Sequence, residues 1–415
     1  MIIKNCRFCD SPLKYTFVDL GVSPLANSYI HPDNSQKMEA FYPLHVYVCE
    51  SCFLVQLDDF ISPESIFREY SYFSGFSDTW LKHTKNYTDQ IIERFHFNSS
   101  NLIIELASND GSLLKNFKEK DIPVLGIEPA ENVAKLAETR GIQTITKFFG
   151  VKTATELVIE KIHADLLLGN NVLAHVPDIN DFVKGMKIIL KPKGIITMEF
   201  PHLMQLMDNN QFDTIYHEHF SYLSLLTVEK IFAKHALTIF DVEELFTHGG
   251  SLRIFATHKE NNSFKISPVV ETMKTKEIQF GLNKINSYVN FSEKVKEAKR
   301  KILKFLISLK QDGMSIVAYG APAKANTLLN YCGIGIDFID YTVDISPYKQ
   351  GLLLPGTRIP IFEPERIKKT KPNYILILPW NIKDEIIDQM SYIRDWGGKF
   401  IILIPEIEVL DCEIY

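Results

Sequence analysis

The chain has 415 residues, enough for two or three domains that each bury a core of their own. Its composition, 46% hydrophobic and 23% charged, is that of a soluble globular protein and excludes disordered, collagenous and membrane-spanning classes. Lys plus Arg total 45 against 51 Asp plus Glu, a formal charge of −6, so no broad positive field invites nucleic acid. The start MIIKNCRFCD has no apolar signal core, and no apolar run reaches about 18 residues, so neither export nor a membrane partner is expected and a cytoplasmic location is.

Four of the six cysteines form two C-x-x-C pairs, Cys6 with Cys9 and Cys49 with Cys52. Each pair presents two thiolates to one metal, and two pairs complete the four-sulfur tetrahedron that zinc prefers. The 39 residues between Cys9 and Cys49 make a long loop, but closure entropy grows slowly with length. A redox C-x-x-C is the alternative, although that motif normally occurs once, at the start of a helix. Four protein ligands leave no place for a reacting water, so the expected zinc is structural.

An aromatic run, REYSYFSGFSDTW, then leads into a helix from Trp80 to Phe95. From NLIIEL onward, apolar strands alternate with amphipathic helices: GSLLKNFKEK, IPVLGIEP, ENVAKLAETRG, IQTITKFF, a helix near 152–162, ADLLLGN, DINDFVKGMKIIL and GIITMEF. That alternation predicts a doubly wound parallel sheet. A polar middle segment (201–260) and a Lys/Glu-rich helix (284–312) follow. A second alternating series, MSIVAYG, IDFIDYTVD, NYILILP and GKFIILIP, predicts another Rossmann-like α/β domain. The expected domains are thus 1–65, 66–260 and 261–415.

In such sheets ligands lie beyond the carboxyl ends of the strands. The first strand ends in Glu105, Leu106, Ala107, Ser108, Asn109, Asp110 and Gly111, and the second in Glu128 and Pro129, where a carboxylate can take both ribose hydroxyls. The outline suits NAD or S-adenosyl-L-methionine. Glu105 would repel a pyrophosphate, and one glycine stands where G-x-G-x-x-G needs three, so the cationic methyl donor is favoured; an ordinary strand-to-helix turn stays open. Asn170 and Asn171 end the fourth strand and His175 follows, aimed at the same crevice or simply a core histidine.

Tyr216, His217, Glu218 and His219 put four ionisable groups in a row, equipment for general acid–base chemistry. A His-x-His metal site and a solvated loop are the alternatives. Downstream, His248 to Arg253 offers small residues and one cation, Arg253, for a substrate, or a plain turn into LRIFAT. In the last domain, Gly320, Ala321, Pro322, Ala323 and Lys324, with Asn326, set backbone amides beside a lysine at a helix start, suited to a diphosphate or else a tight turn. The full phosphate-loop pattern G-x-x-x-x-G-K-[ST] is lacking, so nucleotide hydrolysis is not implied.

These parts in this order resemble the sugar C-methyltransferases that act on nucleotide-linked deoxy-4-ketosugars, over nearly the whole chain. The resemblance implies a zinc-binding N-terminal domain ligated by Cys6, Cys9, Cys49 and Cys52, a methyl-donor domain with its turn at Glu105–Gly111 and ribose acid Glu128, and a C-terminal domain that helps hold a nucleotide-diphosphate sugar. It implies His219 as base, Tyr216 and Glu218 as groups that hold and polarise the sugar, His175 near them, and an active-site tyrosine at Tyr72 or Tyr70. An O- or N-methyltransferase of a sugar or small molecule, and a non-catalytic zinc-containing binding protein, remain the competing readings. The oligomeric state is left open, a monomer included.

Overall fold

The computed structural model describes residues 4–62, 64, 66, 75 and 78–410. Tyr70 and Tyr72 lie outside the described residues. The described chain contains three sheets. The first joins β1 (Tyr15–Ser23), β2 (Tyr42–Val48) and β3 (Val55–Leu57) antiparallel, and its fourth strand is β9 (Ser221–Tyr222), from the middle segment of the chain.

The central sheet contains β4 (Ile103–Leu106), β5 (Val124–Ile127), β6 (Thr144–Ile145), β7 (Ala164–Asn170), β8 (Leu190–Pro201), β10 (Leu237–Leu245) and β11 (Ser251–His258), in the order β10-β11-β8-β7-β4-β5-β6. Successive residues of its strands feed opposite cores: Ile104, Leu106 and Leu167 face one side, Ile103, Leu166 and Leu168 the other. The sheet is parallel from β8 to β6, but β10 and β11 run antiparallel. Only residues 246–250 join β10 to β11, and so short a connection permits nothing else. IQTITKFF yields only the two-residue edge strand β6.

The third sheet, β14-β13-β12-β15-β16-β17, comprises β12 (Ile316–Tyr319), β13 (Thr342–Val343), β14 (Ile361–Phe362), β15 (Tyr374–Ile377), β16 (Lys399–Ile402) and β17 (Glu408–Leu410), parallel except at β17. The Lys/Glu-rich stretch divides into helices Ile285–Val289 and Phe291–Gln311. No helix among the described residues is long and apolar enough to cross a membrane.

The N-terminal module is packed from both sides. Phe17 on β1 stacks on Phe291 at 4.7 Å, merging its sheet with the C-terminal core. Its cysteine turns rest on the central domain, where Asn180 Nδ2 donates to the Arg7 and Phe8 carbonyls at 3.0 Å and Lys234 Nζ to the Phe8 carbonyl at 2.9 Å. The order of β4 and β7 reverses at their shared carboxyl ends, as does that of β12 and β15, and the two switch points face one cavity.

Candidate active site

That cavity has a volume of about 940 Å³, near the top of the roughly 300–1,000 Å³ range of ligand pockets, which is room for two ligands. Its wall includes Ala107, Asn109, Glu128 and Pro129 from the first two strand ends, and Asn170, Asn171 and His175 after β7. Tyr216, Glu218 and His219 come from the middle segment, Ala323 and Lys324 from the C-terminal domain.

The first turn is tight because Ala107, Asn109 and Gly111 all take positive φ, 55°, 50° and 73°. A Cβ at Gly111 would meet Ile142 Cγ1 at 2.9 Å. Asp110 holds the turn from behind, accepting from the Gly75 amide at 2.9 Å and pairing with Arg140 at 3.0 Å. Glu128 accepts from the Asn109 and Ala130 amides, both at 2.9 Å. On the next strand end, Asn170 Nδ2 and Asn171 Oδ1 are buried and find no partner among the described residues. Such atoms fit a wall built to meet a polar ligand. Of the three carboxyl groups at these strand ends, Glu128 stands on the wall, where it can accept from a ligand's hydroxyls.

His219 lies between Tyr216 and His175, with ring centroids 4.1 and 4.7 Å away. Its Nδ1 faces the Thr214 carbonyl at 2.9 Å, and a carbonyl only accepts, so Nδ1 carries the proton and Nε2 keeps its lone pair. The segment around it is clamped by other domains. Trp380 Nε1 donates to Asp213 at 2.7 Å, Thr327 Oγ1 to the Ile215 carbonyl at 2.7 Å, and the Leu57 amide to the Phe220 carbonyl at 3.0 Å.

At the N-terminal module the four cysteine sulfurs lie within 4.8 Å of one another, with Cys6–Cys52 at 3.6 Å and Cys9–Cys49 at 3.5 Å. A zinc tetrahedron with bonds of about 2.3 Å has edges of about 3.8 Å, so the residues fit the ion. Gln56 Nε2 donates to Cys6 Sγ at 3.1 Å, a further polar contact to the cluster. The His-x-His alternative brings no third ligand beside the pair among the described residues, and His217 instead donates to the Pro43 carbonyl at 3.2 Å.

Residues 6–67 match a zinc binding domain, 80–242 a methyltransferase domain and 246–405 a C-methyltransferase C-terminal domain. Over 411 residues, 99% of this chain and 98% of the relative, it is 34% identical to C-methyltransferase NovU of Streptomyces niveus. The chain belongs to the C-methyltransferase family. It is an S-adenosyl-L-methionine-dependent methyltransferase with a four-cysteine zinc-binding domain. Among solved structures, the PH0226 protein of Pyrococcus horikoshii is 16% identical with a TM-score of 0.38, covering 48% of this chain and 100% of that one. An S-adenosylmethionine-dependent methyltransferase of Clostridium acetobutylicum is 13% identical with a TM-score of 0.36, covering 44% and 93%.

Burial sets the electrostatics of this C-methyltransferase. It holds His219 well below the ordinary histidine value, with His175 adding to the effect, and lowers His175 and His248 each to about 4, so all three are neutral near pH 7. It raises Glu128 to about 7. Glu105 is raised well above the carboxylate range, first by burial and then by the charges of Asp110 and Glu128. Lys324 is lowered to about 8 by burial, partly offset by Asp213; its Nζ lies 4.3 Å over the Trp380 ring and donates to Asn381 Oδ1 at 2.6 Å.

Several residues expected at the site stand behind it. Arg253, expected as a substrate cation, is 3% exposed and off the cavity wall, paired with Glu199 at 3.0 Å and Glu243 at 2.9 Å. Asn326 Nδ2 donates to the Pro24 carbonyl at 3.3 Å and does not line the cavity. Ala321 is saturated through its backbone: its amide donates to Asp344 at 2.8 Å, and its carbonyl accepts from Tyr29 at 2.6 Å and Lys349 at 2.9 Å. Gly320, at φ 90°, packs against Pro379, where a Cβ would approach Cδ to 2.6 Å. Glu105, Asp110 and Gly111 belong to the first strand's turn without lining the cavity. Conversely, Asn27, Trp80, His83, Lys349 and Asn381 line it without any sequence pattern that marks them as site residues, and so does His248, which the sequence offers only as the start of the segment to Arg253. In its His-Gly-Gly turn His248 accepts at Nε2 from Asn171 Nδ2 at 2.9 Å.

Proposed function

We propose that this enzyme deprotonates the carbon beside the ketone of a nucleotide-linked 4-keto-6-deoxysugar and methylates the resulting enolate, as a step in branched-sugar biosynthesis. The observation that carries this reading is the His219 tautomer: an anchored Nδ1–H leaves an Nε2 lone pair free to accept a proton in the cavity. His219 takes the proton from the third sugar carbon. Because burial makes it a weak base, the enolate oxygen must be held by donors, a role for Tyr216 or neutral His175. Glu218 holds the sugar. Lys324, with the amide of Ala323, takes the diphosphate end. Bound at the Asn170–Asn171 wall, S-adenosyl-L-methionine supplies an electrophilic methyl on a positive sulfur. Thiols gathered in a cluster suit a reducing compartment such as the cytoplasm.

The test is incubation with a nucleotide-linked 4-keto-6-deoxyhexose in deuterated water, with and without the methyl donor, followed by mass spectrometry. Deuterium uptake beside the ketone, and a methyl on that carbon, are expected. His219→Asn should abolish both while the donor dissociation constant stays within about twofold. A methyl found on oxygen or nitrogen without deuterium uptake would move the assignment to O- or N-methyl transfer.

A further inference from the structure

Asn27 belongs to the zinc-binding module in sequence, yet it lines the cavity. Its Nδ2 donates to Glu218 Oε1 at 2.6 Å, and its Oδ1 faces the Tyr29 hydroxyl at 3.4 Å. The loop carrying it is pinned at both ends by the C-terminal domain. Asn326 Nδ2 donates to the Pro24 carbonyl at 3.3 Å; Ile30 and Leu353 exchange backbone hydrogen bonds of 3.0 and 2.9 Å. Tyr29 adds a third tie through the Ala321 carbonyl at 2.6 Å. The donor is therefore fixed in place before substrate arrives, and Glu218, 3% exposed, has a set carboxylate orientation.

We infer that Asn27 is a positioning residue for the methyl-transfer reaction, acting through Glu218. The N-terminal module thus supplies part of the active site in addition to its metal cluster. This inference rests on the proposed role of Glu218 toward the sugar. With the amide donor in place, one carboxylate oxygen is committed to Asn27. Without it, the carboxylate loses that tie and the sugar loses its registration against His219.

The experiment is a double-mutant cycle on the full-length zinc-loaded enzyme, reading turnover, solvent deuterium exchange at the sugar, and donor affinity by calorimetry. Asn27→Ala is expected to lower kcat and exchange about 10- to 100-fold, the worth of one hydrogen bond to a charged group, with donor affinity unchanged. In a Glu218→Ala background, where no acceptor faces Asn27, the same change should cost nothing further. Asn27→Asp keeps the shape and removes the donor, so it should lose at least as much, and it serves if the alanine variant folds poorly. Undiminished turnover in either Asn27 variant, or a full additive loss in the Glu218→Ala background, overturns the inference alone. Undiminished turnover in Glu218→Ala itself overturns the role proposed for Glu218, and the inference with it.

Discussion

Trp380→Phe isolates the tie between the C-terminal domain and the segment that carries His219. Asp213 is 1% exposed, and burial raises its carboxyl from 3.8 to about 6, against the favourable effects of Lys324 and of the Trp380 Nε1–H. Phenylalanine keeps a ring beneath Lys324 and deletes the 2.7 Å hydrogen bond. A hydrogen bond to a charged group is worth about 2 kcal/mol, or about 1.5 pKa units, so Asp213 in the variant should titrate near about 7.5. A carboxyl whose folded value is raised contributes stability that is present at low pH and lost as pH climbs through the folded value. At pH 5 both proteins hold Asp213 protonated, and only the packing loss separates them. At pH 7.5 the variant should be worse by about a further 1.6 kcal/mol, or about 2 °C in thermal midpoint. Thermal melts of both proteins at the two pH values measure this, and the same midpoint difference at pH 5 and pH 7.5 would refute the reasoning.

Gly111→Ala forces a Cβ into the left-handed region and toward Ile142; a loss of about 1–3 kcal/mol in thermal stability is expected, with weaker donor binding by calorimetry, while zinc content is unchanged. The purified enzyme should carry about one zinc per chain by atomic emission. Stripping that metal should abolish turnover and lower the melting midpoint together, since β3 of the metal module pairs with β9, two residues after His219. Stripped enzyme with full turnover would contradict this coupling.

Local chemistry was legible in the sequence, and long-range partnership was not. The strand ADLLLGN stands at 164–170, where its apolar run puts it, because a strand buried on both faces needs no distant information to be recognised. The cysteine pairs were readable for a similar reason: two thiolates at fixed spacing already define half a tetrahedron. Arg253 misled because a cation beside glycines looks available, whereas two carboxylates, one ten residues upstream on the neighbouring strand, already neutralise it. Asn27 and Lys349 carried no pattern at all. Each is a single polar residue in a loop, placed at the cavity by pairings such as that of Ile30 with Leu353, hundreds of residues apart. Strand β9 has two residues, too few for any periodicity, yet it completes a sheet begun by the first strands of the chain.

That last pairing sets an order of events during synthesis. All four metal ligands exist once residue 52 has been made, so the knuckles can close early. The edge of β3 cannot: Gln56 waits for Ser221, which emerges 165 residues later, about 10–30 s at common translation rates. Through that interval the newborn module has an ion to staple it and an unpaired strand edge, the feature that nascent chains most often need a chaperone to shield.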